Sequence, residues 1–157
     1  MKKKTLTWIY PALLLTVLGT DQLIKRRVER QMQEGETHRY AGGRLLLRSS
    51  RNRGVAMNVG EKRPEFVCGL SVGLTAAMTF LYIAALGRAG KGLLNTGLSL
   101  LLGGAYSNTY DRLVKRQVTD YVSFDIGVPA LKKIVFNLGD FGVIAGAGLI
   151  AAAGMKE

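Results

Sequence analysis

The chain has a single cysteine and a single histidine among 157 residues, and its 11 acids are half as many as its 22 Lys and Arg. One cysteine, Cys68, excludes an intramolecular disulfide and leaves the redox compartment unread. Its place inside an apolar run reads as a small packing residue. The lone histidine, His38, stands in a polar loop, which argues against a Ser-His triad, and no Gly-x-Ser-x-Gly occurs. No Cys/His cluster or His-Glu-x-x-His is present, so neither a metal nor a cofactor is expected. The shortage of acids leaves a net charge of +11. The basic residues have no aromatic interleaving and fit no nucleic-acid module, so an anionic bilayer explains them better than nucleic acid does. Neither an internal repeat nor a low-complexity linker is found.

What is abundant is uncharged length. Thr5–Thr20, Phe66–Gly87 and Gly92–Tyr110 run 16, 22 and 19 residues without a charge. Crossing a bilayer takes about 17–25 apolar residues. Two of these runs qualify outright, and Trp8 and Tyr10 can anchor the shorter first one at an interface. A fourth run, Ile134–Met155, has 22 residues and one charge, Asp140. The expectation is an all-α polytopic membrane protein with four spans, approximately 5–24, 66–87, 92–110 and 134–155, in one domain. A cleaved signal peptide is the rival for the N-terminus, but no small-x-small cleavage site precedes Asp21. The Lys2–Lys4 cluster then puts both termini in the cytoplasm, with loops 25–65 and 111–133 outside. Plain counting opposes this, with 16 Lys and Arg in the outer loops against 6 inside. Long loops translocate largely regardless of charge, so the first segment decides.

Loop one is patterned: Gly42-Gly43, Arg44 to Arg48, Ser49 to Arg53, then Val55 to Gly60. Short apolar runs between glycines read as two or three strands of a small sheet on the membrane. Residues 21–34 are polar and charged, and read as an extension of the first helix.

A carboxylate on a membrane helix costs roughly 2.5–3.5 kcal/mol at the helix centre, so Asp140 is a candidate functional group. As seventh residue of its run it would lie roughly 9 Å inside. In Val118-Thr119-Asp120-Tyr121-Val122, Asp120 reaches the same face from the other end of loop three. Two carboxylates sharing a site do not both ionise easily, and a pair holding one proton can activate water and protonate a leaving amine. Such a pair titrates as a unit, so acid and base are not separated. Asn108, Asp111 and Arg112, at i, i+3 and i+4, would share a helical face, and Asn137 and Asp140 are also i, i+3. The plainer alternatives are an Arg112–Asp140 ion pair, a solvated Asp120, and a local salt bridge between Asp21 and Lys25.

Four ordered blocks resemble the bacterial signal peptidase II family, the lipoprotein signal peptidases: Asp21-Gln22-Leu23-Ile24-Lys25; Asn52-Arg53-Gly54-Val55-Ala56; Gly103-Gly104-Ala105 through Asn108, Asp111-Arg112 and Val118-Thr119-Asp120; and Phe136-Asn137-Leu138-Gly139-Asp140. The resemblance implies four helices with a small extracytoplasmic sheet and a short extracytoplasmic helix. It also implies an aspartic endopeptidase that cuts prolipoproteins just before a diacylglyceryl-cysteine. The catalytic residues would be Asp120 and Asp140. Asn52, Gly54, Asn108, Arg112 and Asn137 would position dyad and substrate, with Asp21, Lys25 and Asp111 as polar support. Partners would be the lipid-modified precursor and membrane lipids, with a monomer in the bacterial cytoplasmic membrane and the site at its outer face. Three departures stand out: Gly139 for the usual alanine, Met57 for a common phenylalanine, and Lys115-Arg116-Gln117 where glycine is frequent. A binding protein without activity and a proton-relay transporter are the rival functions. Relays set acids deeper and on several spans, and the middle two spans here carry none.

Overall fold

The computed structural model describes residues 7–55, 59–88 and 90–155. The Lys2–Lys4 cluster, Ala56 and Met57 lie outside the described residues. In chain order the elements are α1 (Ile9–Gln31), β1 (Thr37–Tyr40), a 3-10 turn (Ala41–Gly43), β2 (Leu45–Asn52), α2 (Pro64–Ala85), α3 (Gly92–Lys115), β3 (Val118–Phe124), α4 (Pro129–Lys133) and α5 (Leu138–Gly154). The result is mostly helical with one three-stranded sheet.

Local chemistry sets the helix ends. Pro64 begins α2, where its fixed φ and missing N–H are at home, and Glu65 in the first turn faces the helix dipole favourably. The third helix ends on Arg116 at φ 60, a left-handed cap that glycine adopts with least strain. Asn137 opens α5 through a reciprocal capping box with Asp140.

Helix α3 is the hub, packed against α1, α2 and α5. It meets α5 backbone to backbone. A methyl at Gly104 would sit 2.0 Å from the carbonyl oxygen of Gly139, a contact no side chain permits. Away from the sheet, Tyr82, Ala85, Leu98 and Leu102 form an apolar cluster. The strand order is β1-β2-β3, antiparallel throughout. Between Leu47 and Ser50 the β2–β3 register shifts, so that Leu47 opposes Val122 and Ser50 opposes Asp120. A bulge of this kind re-aims the side chains beyond it.

The first helix is continuous to Gln31, within the extension read over 21–34, and the third runs on to Lys115, beyond the apolar limit of 110. The fourth begins at Leu138 rather than 134, because Phe136 is used in an extended bridge to Val122 and Asn137 caps the helix. Asp140 is therefore in the first turn, about 3 Å along the axis instead of roughly 9 Å. Loop one supplies two strands, at 37–40 and 45–52, and the third comes from the other loop. Among the described residues, Pro64–Ala85 alone is long and apolar enough to cross a membrane by length and composition; Leu138–Gly154 is a shorter apolar helix.

Candidate active site

Strand β3 is buried on both faces. Val118 and Asp120 line a cleft of about 500 Å³. The alternate residues Thr119 and Tyr121 point the other way, to Glu29 and Asp21 of α1. A two-residue side-chain period on a buried strand makes one wall of two compartments.

In the cleft, Asp120 and Asp140 meet around Asn137. The Asn137 backbone N–H donates to Asp140 Oδ2 at 3.0 Å, and its Oδ1 accepts the Asp140 N–H at 2.8 Å. That second bond fixes which way the amide faces. Its Nδ2 must then point outward, donating to Asp120 Oδ1 at 2.7 Å and to Asn108 Oδ1 at 3.1 Å. Asn108 is oriented in turn by the Lys25 ammonium, a pure donor, 2.8 Å from its Oδ1. Its Nδ2 therefore donates to Asp140 Oδ1 at 2.9 Å. Asn52 completes the set, donating to Asp120 Oδ2 at 3.2 Å. Its Oδ1 accepts the Gly54 N–H at 2.9 Å in an Asx turn, and this presents the Gly54 carbonyl to the Arg112 guanidinium at 3.1 Å.

All four carboxylate oxygens thus accept from neutral amides or backbone. The salt bridges among the described residues include no Arg112–Asp140 pair. Asp120 is 4% exposed. Burial, reinforced by the neighbouring Asp140 charge, pushes its carboxyl up to about 7. The rest of the cleft is mainly apolar, with Leu74, Met78, Leu101, Val143 and Ile144 along its helical walls.

The second compartment holds Asp21 and Lys25, and the two sit 2.7 Å apart, as their i, i+4 spacing suggested. Lys25 also reaches Asp111 at 3.0 Å, and all three are fully buried. Lys115 joins Asp111 at 2.9 Å and Glu29 at 2.7 Å. The expected common face of Asn108, Asp111 and Arg112 is split. Asp111 and Arg112 are about 100° apart around α3, so Asp111 turns to the lysines while Asn108 and Arg112 line the cleft.

Gln22, Ser107, Glu29, Lys115 and Tyr121 had no assigned role from sequence. Gln22 and Ser107 bond each other at 2.9 Å, and Ser107 donates to Asp21 at 2.5 Å. The signal for Tyr121 was strand alternation: next to Asp120 in sequence, it must face the opposite side. His38 pairs with Glu36 at 2.7 Å on the surface. Cys68 is buried and free. Among the described residues, no three His, Cys, Asp or Glu side chains converge as a metal site requires.

The Peptidase_A8 family model, signal peptidase (SPase) II, matches residues 13–156. The chain is 29% identical over 149 residues to the lipoprotein signal peptidase of Caldicellulosiruptor bescii, covering 95% of this chain and 92% of that one. To the lipoprotein signal peptidase of Geobacillus thermodenitrificans it is 34% identical over 138 residues, covering 88% and 84%. Two solved structures share the fold, both of a bacterial membrane enzyme studied by the in meso method. One has a TM-score of 0.84 at 22% identity, covering 99% of this chain and 93% of the other. The second has a TM-score of 0.83 at 22% identity, covering 100% and 99%.

Proposed function

The chain belongs to the signal peptidase II family, membrane proteases that cleave lipoprotein signal peptides, and from that premise we propose that Asp120 and Asp140 are its catalytic dyad. The substrate is a prolipoprotein whose cysteine carries a diacylglyceryl group, cut on the N-terminal side of that cysteine. One observation carries the reading. Two carboxyls converge on an apolar-walled cleft, joined through Asn137 and bonded to no cation.

The pair shares one proton at neutral pH, since burial and the neighbouring Asp140 charge hold the Asp120 carboxyl up to about 7. The ionised member takes a proton from a water molecule as its oxygen attacks the scissile carbonyl, and the protonated member gives its proton to the carbonyl oxygen. Collapse of the tetrahedral intermediate then returns a proton to the departing amine. Arg112 spends one donor on Gly54 and has a buried Nε–H without a partner, which a substrate carbonyl can answer. Asn52, Gly54, Asn108 and Asn137 hold the dyad, while Asp21, Lys25 and Asp111 brace it from behind.

The membrane reading is four spans, α1, α2, α3 and α5, with termini inside and the sheet and dyad at the outer face. The supporting pattern is inverted relative to a water-soluble protein. Asp21, Lys25, Asn95, Ser99, Ser107 and Asp111 are buried, while Phe66, Phe80, Leu81, Ile83 and Ile144 face outward. The apolar cleft then receives acyl chains from the lipid side.

The test is cleavage of a purified diacylglyceryl-cysteine precursor beside its unlipidated form. Asp120→Asn and Asp140→Asn should each lower the rate by about 10³-fold or more while the protein stays folded in detergent. Retained cleavage by either variant removes that residue from the dyad, and equal cutting of the unlipidated form removes the lipid from recognition. A wild type that binds the precursor without cutting it leaves a binding protein only.

A further inference from the structure

We propose that the Tyr121 hydroxyl is a positioning group for the dyad, tying the strand that carries Asp120 to the first turn of the helix that carries Asp140. This rests on the dyad reading above. The hydroxyl donates to Asp21 Oδ1 at 2.9 Å and accepts the Leu138 N–H at 2.8 Å. Leu138 is the first residue of α5, so its amide has no partner within the helix. The Asn137 side chain answers the Asp140 amide, and Tyr121 answers that of Leu138. On the other flank of Asn137, Phe136 is held by its bridge to Val122, with backbone bonds of 2.7 and 2.8 Å. Asn137, which reaches both carboxyls, is therefore clamped before and behind by consecutive residues of β3.

Asp21 is fully buried and held by Lys25 and Ser107. The Tyr121 ring is 4% exposed. Burial and the adjacent Asp21 charge push the phenol well above its ordinary range, so the group keeps its proton and serves as donor and acceptor together.

Without the hydroxyl, the start of α5 is free to draw back from β3, carrying Asp140 away from Asp120. The charged groups facing Asp120 are Asp140 on α5, Arg112 on α3 and Lys25 on α1. Of these only Asp140 disfavours its ionisation, so retreat of Asp140 lets Asp120 lose its proton at lower pH.

Tyr121→Phe removes the one oxygen and keeps the ring. In purified full-length protein, kcat for the diacylglyceryl-cysteine precursor should fall roughly tenfold or more, with KM within about twofold. The basic limb of the kcat–pH profile should move down by about half a pH unit or more. Leu138→Pro removes the other end of the same bond. Proline is favoured at a first helical position, and Asn137 already has the extended φ −123, ψ 171 that precedes proline. It should reproduce both the fall and the shift, and the double variant should be no worse than the poorer single one.

A wild-type kcat and basic limb in Tyr121→Phe would overturn the proposal, as would losses that multiply in the double variant. A hydroxyl that only supports folding would lower thermal stability and leave the limb in place. Cleavage that survives Asp120→Asn would instead overturn the dyad reading, and this inference with it.

Discussion

Two groups of buried or half-buried carboxylates lie back to back across β3, and they are handled in opposite ways. Behind the strand, Asp21, Asp111 and Glu29 share Lys25 and Lys115 at salt-bridge distances of 2.7–3.0 Å. In front of it, Asp120 and Asp140 receive amide donors only. A paired carboxylate keeps a settled charge, whereas an unpaired one near another stays close to a protonation change. The first arrangement suits a scaffold and the second suits proton transfer. Asn108 connects them, accepting from Lys25 on one side and donating to Asp140 on the other.

The contrast is tested most severely by exchanging the consequences of mutation. Lys25→Met leaves Asp21 and Asp111 buried without their common cation, a change that costs about 3–5 kcal/mol. It should unfold the protein in detergent at temperatures the wild type survives, and no pH should restore activity. If thermal unfolding shows Lys25→Met to be as stable as wild type, the rear cluster is not a scaffold.

Neutralising a member of the front pair should act in the reverse sense. The folded value of Asp120 lies near 7, above the ordinary aspartate value of 3.8. Its contribution to stability is thus fully present below about pH 4 and is lost as pH rises towards about 7. Asp120→Asn should gain in melting temperature relative to wild type as pH is raised from about 4 to 8, while remaining inactive. A melting difference that does not change with pH would place Asp120 outside the coupled pair. The same titration predicts that wild-type cleavage declines above about pH 7.

Asn137→Ala removes a helix cap, worth about 1 kcal/mol, together with the amide between the carboxyls. The loss of kcat should therefore exceed what the small drop in unfolding temperature explains. Equal proportional losses would reduce Asn137 to a cap. The smallest change concerns the strand's approach. Arg116→Gly relieves a left-handed residue and should add about 0.5–1 kcal/mol of stability, read by thermal unfolding, with no effect on kcat.

Much of this was legible in the chain. Asp120, Asp140, Asn52, Asn108, Arg112 and Asn137 all appear in short blocks, and the structure brings them around one cleft. The start of α5 was not read correctly, because an uncharged run looks the same extended or helical. The information was nevertheless present: Asn137 and Asp140 have capping-box spacing. Strand β1 escaped because all four of its residues are exposed, leaving no alternation to detect. The rear cluster was legible only in part: spacing gave the local Asp21–Lys25 pair and the resemblance added Asp111, but nothing in the spacing shows that Glu29 and Lys115, 86 positions apart, close it.

The two-sided character of β3 also governs how the protein can fail. A slip of one position against β2 would swing Tyr121 into the cleft and thrust Asp120 towards Lys25, spoiling both compartments together. Misassembled chains therefore have no well-packed but idle form to settle in.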